Sequence, residues 1–305
     1  MNKEEQIKEI LEQKDRRIHE LEKILDEVST DLADQFFQSV EMLATIISFT
    51  ERFYDGNHAR FVSEKSEALA KLLGINNPLR YQIKIAGLLH GIGKVSFKDT
   101  NLHKFPHEMS KGEYQQYSLY PQIGVEILKH HKSFNMVSEM ILQHQERIDG
   151  SGFPLGMKGD DIHPGARIIA VVDTYHNLVY KKVRDLNKEK TTTFTNTQAL
   201  LNASKDRHAS ALKFLEQKRG SQFDPRVVDA FIVMIDHERS DLSDKQILRV
   251  PVNKVIPGMI FAQDYHTSYG LLIASRGEGV TQDMLKPLVR FAENEEIPHK
   301  LLMLA

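Results

Sequence analysis

The first 35 residues carry a heptad repeat, a pattern that predicts one long helix. Between residues 4 and 35 charged residues are dense, yet apolar residues recur at alternating spacings of four and three. The repeat consists of Ile7, Leu11, Ile18, Leu21, Leu25, Val28 and Leu32, with Lys14 as its polar member. On a solvated single helix this apolar stripe would stay in water. We therefore expect a parallel coiled-coil homodimer.

Composition limits what the rest of the chain can be. Apolar residues make up 41% and charged residues 27%, with a net charge of -2, which is enough apolar material for a core and too little positive charge for DNA or RNA binding. No stretch approaches the roughly 20 apolar residues of a membrane span, and the N-terminus lacks a secretory signal. We expect a cytoplasmic protein without membrane contact.

The absence of cysteine decides which metals the chain can bind. With no cysteine in 305 residues, disulfides, thiolate catalysis and iron-sulfur ligation by the chain are excluded. Any metal must therefore be bound by histidine, aspartate or glutamate, and the 14 histidines leave that option open.

The apolar pattern predicts a mainly α fold class. It also divides the chain into three predicted parts. They are a coiled-coil dimerisation helix (1–35), a helical bundle domain (36–240) and a small α+β module (241–305). In the module we expect short strands at 247–252, 259–262, 271–274 and 301–304, and a helix capped by Thr281. The polar, threonine-rich segment 181–206 is interpreted as a loop or a frayed helix.

Four residues of the middle domain stand in unusual local sequences. His58 begins an amphipathic helix, His90 ends an apolar helix, His144 precedes a glycine-rich loop, and Asp173 ends the apolar run 167–172. Taken alone, each is more typical of a hydrogen-bonded core or cap residue than of a ligand. Their order along the chain favours a shared site.

Because these four residues occur in this order along the chain, residues 50–237 resemble the HD-GYP family. This family comprises the HD-domain phosphohydrolases that hydrolyse cyclic di-GMP in bacteria. The His-Asp motif corresponds to His90-Gly91-Ile92-Gly93-Lys94, and the family's signature corresponds to residues 144–154, from His144 to Pro154. The match continues to Asp173 and closes at Gln222-Phe223-Asp224-Pro225. The C-terminal module looks like a small domain often appended to such proteins.

The resemblance implies a degenerate metal site. In the family, histidines and aspartates bind two or three metal ions, and a metal-bound hydroxide attacks the phosphodiester. The matching residues that remain are His58, His90, His144 and Asp173. Gly91, Tyr120 and Gln145 replace three ligands, including the carboxylate that bridges two metals. Two divalent ions about 3.7 Å apart repel by about 18 kcal/mol at an effective dielectric of about 20. We therefore expect no binuclear site.

A single-metal site stays open as an alternative. His58, His90 and Asp173 would form a two-histidine, one-carboxylate set that suits iron(II) or manganese. Otherwise these residues and His144 would form a hydrogen-bonded polar cluster inside the core. We therefore expect no cofactor, or at most one divalent metal.

Further residues near the signature predict ligand or partner binding. Lys94, Arg147 and Arg167 are candidates for holding the phosphates of cyclic di-GMP, against the alternative of structural ion pairs. The resemblance also makes the loop with Gly150, Gly152, Phe153 and Pro154 a candidate docking surface for diguanylate cyclase (GGDEF) domains.

Three functions follow as hypotheses. The first is a catalytically inactive HD-GYP-like signalling protein that acts through protein-protein interaction in cyclic di-GMP signalling. The second is a weak mononuclear phosphodiesterase or phosphohydrolase, in which Lys94 stabilises phosphate charge. The third is a metal-free receptor for cyclic di-GMP.

Overall fold

The structure is a computed structural model of the chain. It describes residues 3–51, 54, 57–98, 102, 104–181, 197–243, 247–267, 272–274 and 277–304. Most of the predicted polar segment 181–206 lies outside the described residues or their described side chains, as do residues 268–270 and the side chains of Ile7 and Leu11. Residues 1–45 and residues 46–305 form separate units.

The first unit is built on one long helix. Helix α1 (Lys3–Ser48) has 46 residues, which corresponds to about 69 Å at the α-helical rise. The described apolar members of the heptad repeat are all exposed: Ile18, Leu21, Leu25, Val28 and Leu32, with exposures from 49% to 67%. The predicted long helix is confirmed, and its apolar stripe is open along this length. Coiled-coil pairing stays a prediction.

The second unit contains a helical body, as the mainly α class predicted. Its helices are α2 (His58–Leu72), α3 (Asn77–Leu89), α4 (Lys111–Tyr117), α5 (Tyr120–Leu128), α6 (Asn135–Gln143), α7 (Pro164–Tyr180), α8 (Thr197–Lys218) and α9 (Pro225–Ser243). Short 3-10 turns lie at Ile92–Ser96, Pro106–Glu108, Lys132–Phe134 and Gly159–Asp161. Helix α2 packs against α3 and α7, and α6 packs against α3, α5 and α7.

Helix α7 lies at the centre of this body because it is apolar on nearly every face. Its buried residues include Ala166, Ile168, Ile169, Ala170, Val171, Val172, Tyr175 and Val179. Pro164 stands in its first turn, where a missing backbone N–H costs nothing. Polar side chains on such a helix are carried into the interior, and Asp173 and His176 are both buried.

Local sequence also sets where α2 and α3 begin and end. The Asn57 side chain accepts a hydrogen bond from Arg60 N, 2.9 Å away, which starts α2 at His58. The Asn76 side chain does the same for α3 through Leu79 N. Helix α3 ends at Leu89, so His90 is the first residue after it. Two of the predicted site histidines therefore lie at helix ends.

The C-terminal part of the unit is the small α+β module. Strands β1 (Ile247–Pro251), β2 (Ile260–Phe261) and β5 (Lys300–Leu304) form an antiparallel sheet in the order β1-β5-β2. Strands β3 (Tyr265–His266) and β4 (Leu272–Ala274) pair separately, and helix α10 (Leu285–Glu293) follows. Phe261, Leu288 and Leu301 are among its buried core residues.

The predicted strands of this module are confirmed, but the predicted helix cap is wrong. A 3-10 turn, Gln282–Met284, precedes α10, and the Thr281 side chain makes no capping hydrogen bond. The tighter turn replaces the cap that the sequence pattern suggested.

Across the described residues, every helix is either too short or too polar to cross a bilayer.

Candidate metal centre

Three of the predicted ligands meet in the core of the helical body. His58 comes from the start of α2, His90 from the residue after α3, and Asp173 from the middle of α7. One donor atom from each lies within 4.8 Å of the others. All three side chains are buried, and the two histidines are fully so. Residues 115 positions apart thus form one compact donor set.

Asp173 is the hub of this cluster. Its Oδ1 lies 3.2 Å from His58 Nε2 and 3.5 Å from His90 Nε2, and it accepts a hydrogen bond from Asn177 Nδ2. Its Oδ2 accepts from Gln145 Nε2 at 2.9 Å. Burial alone would raise the pKa of Asp173, but its close contacts with His58 and His90 hold that pKa well below its usual value. The carboxylate is therefore ionised, and both of its oxygens accept hydrogen bonds.

The ring nitrogens of His90, His58 and His176 form a hydrogen-bonded chain. His90 Nδ1 lies 2.7 Å from Gly87 O, and because a carbonyl only accepts, we assign the proton to that nitrogen. His90 Nε2 then accepts from His58 Nε2, 3.0 Å away, and His58 Nδ1 accepts from His176 Nδ1 at 2.9 Å. Burial lowers the pKa of His58 to about 3 and that of His176 well below its ordinary value. One set of tautomers therefore satisfies these contacts.

The same three donors have the spacing that one metal ion requires. Ligands at about 2.0–2.1 Å in a tetrahedral arrangement stand about 3.4 Å from one another. The distances among His58 Nε2, His90 Nε2 and Asp173 Oδ1 are 3.0, 3.2 and 3.5 Å. A divalent ion would replace the proton between the two histidines. The residues present thus fit a single ion, and such an ion would supply Lewis-acid chemistry.

His144 is separated from this donor set by its own hydrogen bonds. Its Nδ1 lies 2.6 Å from Ile141 O and its Nε2 lies 2.6 Å from the hydroxyl of Tyr120. With Nδ1 donating to the carbonyl, Nε2 accepts from the tyrosine and its lone pair is occupied. Burial lowers the pKa of His144 to about 3. Three of the four predicted residues thus supply the clustered donor atoms, while His144 lies beside His90 and pairs with Tyr120.

The three positions at which the resemblance leads one to expect metal ligands have different surroundings. Tyr120 binds His144, and Gln145 binds Asp173, so both substitutions place hydrogen-bond donors against the remaining site residues. Gly91 leaves an opening instead. A Cβ built at Gly91 would lie 3.6 Å from Ile47 Cγ2 and 3.8 Å from Glu51 Oε1. The space in which the resemblance leads one to expect a carboxylate therefore faces the carboxylate of Glu51.

Four residues that the sequence pattern did not single out contribute to the site. His176 and Asn177 follow Asp173 by three and four positions on α7, so helical spacing alone brings them to the same face. Tyr54 donates from its hydroxyl to Asn177 Oδ1 at 2.7 Å and stacks on His58. Glu51 accepts from Ala59 N. For Tyr54 and Glu51, which follow α1, no sequence pattern indicated proximity.

Two of the three predicted phosphate-binding residues are held by other protein groups. Arg167 Nη1 donates to Asp160 and Asp224, at 2.8 and 3.0 Å. Arg147 donates to Glu146 O and Gln145 Oε1, and its guanidinium lies over the Phe223 ring. These contacts correspond to the structural ion-pair alternative and to packing.

Lys94 alone of the three predicted residues lines a cleft beside the donor set. Its Nζ lies 5.0 Å from the centre of the Tyr120 ring. The cleft is lined by Thr50, Glu51, Tyr54, Lys94, Phe97, Leu102, Tyr117 and Lys181. Lys181 Nζ donates to Lys104 O, and burial lowers its pKa to about 7. The cleft thus brings two amines beside a carboxylate.

The signature loop is folded back on its own backbone. A Cβ at Gly152 would lie 2.4 Å from Glu146 Cα, and Gly150 has a φ of 83°, so both positions require glycine. Glu146 accepts from Leu155 N and Met157 N, which ties the loop down. Phe153, joined to Pro154 by a cis peptide bond, packs against Tyr114, Tyr117 and Tyr120.

The chain is similar in sequence to known proteins. The family model for the HD domain matches residues 41–227. The cyclic di-GMP phosphodiesterase response regulator RpfG of Xanthomonas campestris is 30% identical over 236 residues, which are 74% of this chain and 55% of that protein. A cyclic di-GMP phosphodiesterase of Thermotoga maritima is 27% identical over 219 residues, which are 71% of this chain and 54% of that protein.

Among solved structures, an HDG"Y"P protein from Bdellovibrio bacteriovorus matches with a TM-score of 0.45 and 22% identity. The match covers 59% of this chain and 52% of that one. The chain spans about half the length of the curated relatives from Xanthomonas campestris and Thermotoga maritima. Because the HD domain model matches residues 41–227 of 305, the chain belongs to the HD domain family, in agreement with its resemblance to the HD-GYP branch.

Proposed function

We propose that the chain is a catalytically inactive HD-GYP-like signalling protein that acts by binding other proteins in cyclic di-GMP signalling. One observation carries the proposal: two replaced ligand positions donate hydrogen bonds to the site residues that remain. Gln145 binds the Asp173 carboxylate and Tyr120 binds the His144 lone pair. Both contacts favour the metal-free, hydrogen-bonded state over a site with two cations.

Charge supports the same conclusion. About 18 kcal/mol of repulsion between two divalent ions needs several anionic ligands to offset it. Glu146, the acidic residue of the signature loop, is occupied by Leu155 N and Met157 N. Within the described residues, Asp173 is the one carboxylate of the clustered donor set. A pair of ions side by side would therefore be strongly destabilised.

We expect the purified protein to hydrolyse cyclic di-GMP at least about 100-fold more slowly than the relative from Thermotoga maritima, because two-metal chemistry lacks its ligands. The measurement is nucleotide turnover with added manganese or iron(II). His90→Ala is the control, because any true activity of this site would disappear in that variant. Turnover comparable to the relative that His90→Ala abolishes would contradict the proposal.

A mononuclear phosphodiesterase is the second candidate, favoured by the donor distances of 3.0–3.5 Å among His58, His90 and Asp173. Relatives named cyclic di-GMP phosphodiesterases add support at family level. This candidate requires about one metal ion per chain after anaerobic purification. Elemental analysis at well under one ion per chain would remove its basis.

A metal-free receptor for cyclic di-GMP receives less support. Arg147 and Arg167 already bind protein groups, which leaves Lys94 of the three predicted residues in the cleft. Calorimetry that detected binding at tens of micromolar nucleotide would restore this candidate.

Homodimerisation through α1 is part of the proposed function. We expect Leu25→Asp to convert a dimer, at twice 35.0 kDa, into a monomer, because a charge in a heptad seam cannot be buried between two helices. Light scattering coupled to gel filtration measures the mass. Lys23→Asp is the matched control. Position 23 lies two residues before Leu25 and therefore on the opposite face of the helix, so this substitution leaves the heptad seam intact. A monomeric wild type, or a dimeric Leu25→Asp variant, would refute the coiled coil.

The signature loop is the proposed docking surface for a GGDEF partner. Leu155 is 54% exposed in this loop, whereas Phe153 is partly buried among tyrosines. Leu155→Ala therefore alters the exposed surface, while Gly152→Ala would distort the backbone. A pull-down of GGDEF protein that Leu155→Ala leaves unchanged would argue against this surface.

A further inference from the structure

Glu51 is a buried acid that neither the motifs nor the proposed function explains. It lies after the end of α1 and is 7% exposed. Its Oε2 accepts a hydrogen bond from Ala59 N at 3.0 Å, at the start of α2. This contact places the Glu51 side chain next to His58, which begins the same helix.

The other oxygen of Glu51 has no such role. Oε1 is buried and lacks a hydrogen-bond partner among the described residues. A buried, unpaired carboxylate oxygen is costly, and burial raises the pKa of Glu51 to about 7. His90, Lys94 and Asp173 are the charged or titratable groups that act on it. An acid kept at such a cost needs a reason that helix capping alone does not supply, since a neutral side chain also caps.

The space beside Gly91 indicates what the Glu51 carboxylate does. A Cβ built at Gly91 would lie 3.8 Å from the free Glu51 Oε1. Gly91 follows His90, one of the three clustered donors. The unpaired oxygen therefore points to the space that a carboxylate at position 91 would occupy.

We propose that Glu51 substitutes for the missing carboxylate at position 91 and stabilises a single divalent cation bound by His58, His90 and Asp173. Glu51 lies outside the donor atoms that cluster within 4.8 Å. It therefore contributes negative charge and a hydrogen-bond acceptor to the open side of the cation, not a fourth ligand at the same spacing. When a cation binds and Glu51 ionises, the carboxylates of Asp173 and Glu51 together balance the charge of one divalent cation but not that of two.

The inference goes beyond the proposed function because it concerns metal affinity and not turnover. Glu51→Gln separates charge from capping, since the amide oxygen still accepts from Ala59 N. We expect this variant to bind Mn²⁺ about 10–100-fold more weakly than the wild type. The melting temperature of its metal-free form should equal or exceed that of the wild type, because an unpaired acid has been removed. Binding is measured by calorimetry on the full chain at pH 7.5.

A rescue variant and a control complete the experiment. Gly91→Asp in the Glu51→Gln background should recover at least tenfold in Mn²⁺ affinity, because it returns a carboxylate to the same space. Glu67→Gln, on the surface of α2, should leave the affinity within threefold of the wild type. An affinity of Glu51→Gln within threefold of the wild type would overturn the inference, as would weaker binding accompanied by a lower metal-free melting temperature.

Two further outcomes separate this inference from the proposed function. A wild type that binds no Mn²⁺ at millimolar concentration would overturn the inference and leave the inactive signalling function standing. Turnover of cyclic di-GMP with a single bound ion that depends on Glu51 would support the inference and contradict the proposed inactivity.

Discussion

Asp173→Ala is expected to lower the free energy of unfolding of the metal-free protein by about 3–5 kcal/mol, because each buried donor left without an acceptor costs about 1–3 kcal/mol. The carboxylate is 3% exposed and accepts hydrogen bonds from Gln145 and Asn177 as well as contacting both site histidines. Its removal leaves these buried groups without an acceptor. Urea unfolding at pH 7.5, followed by circular dichroism, gives the change in free energy.

A surface aspartate provides the comparison for this prediction. Asp229 also accepts two hydrogen bonds, from Arg219, but it is exposed. Asp229→Ala should therefore change the free energy of unfolding by less than about 1 kcal/mol. A loss below about 1 kcal/mol for Asp173→Ala would mean that the cluster is not an essential part of the core.

Mild acid is expected to destabilise the protein through its buried histidines. The pKa of His58 and that of His144 lie near 3 in the folded protein, against an ordinary value of 6.5. The unfolded chain therefore binds more protons between these values, so stability is lost as the pH falls from 6.5 toward 3. Between pH 7 and pH 5 the loss amounts to about 2 kcal/mol for each histidine.

Glu51 acts in the opposite direction over the same range. Its pKa rises from 4.5 to about 7 on folding, so the folded state binds more protons between these values, and acidification from pH 7 to pH 5 adds about 2 kcal/mol. Glu51→Gln should therefore lose about 2 kcal/mol more stability than the wild type over this range. Urea unfolding of both metal-free proteins at pH 7 and pH 5 measures the difference. Equal losses in the two proteins, or greater stability at pH 5 than at pH 7 in Glu51→Gln, would contradict these assignments.

Much of the fold could be predicted because its signals are local. The heptad spacing predicted α1, and the short β-rich runs predicted the strands of the C-terminal module. Thr281 shows the limit of such signals. Thr281 stands at the position of a helix cap, but a 3-10 turn precedes α10 and its side chain makes no capping hydrogen bond. The backbone N–H groups at a helix end can find hydrogen-bond partners in more than one way.

The candidate site was predictable in part. Resemblance to a family identified His58, His90 and Asp173, and these three meet in the core. It also identified His144, which instead pairs with Tyr120. Which of two neighbouring polar groups a buried histidine binds depends on differences of less than an ångström, and motif spacing does not encode them.

By itself, the amino-acid sequence determined the helical class, the cysteine-free chemistry and a glycine at position 91, where the family resemblance leads one to expect a carboxylate. These follow from composition, periodicity and residue identity, each of which is a property of the chain read locally. The tertiary structure decided which groups occupy the space beside Gly91. Glu51 reaches the space from 40 residues away, and His176 reaches His58 from 118 residues away. Such pairings arise because close packing brings distant segments into contact. Contacts of this kind produce no periodic pattern in the sequence, so they could not be predicted from it.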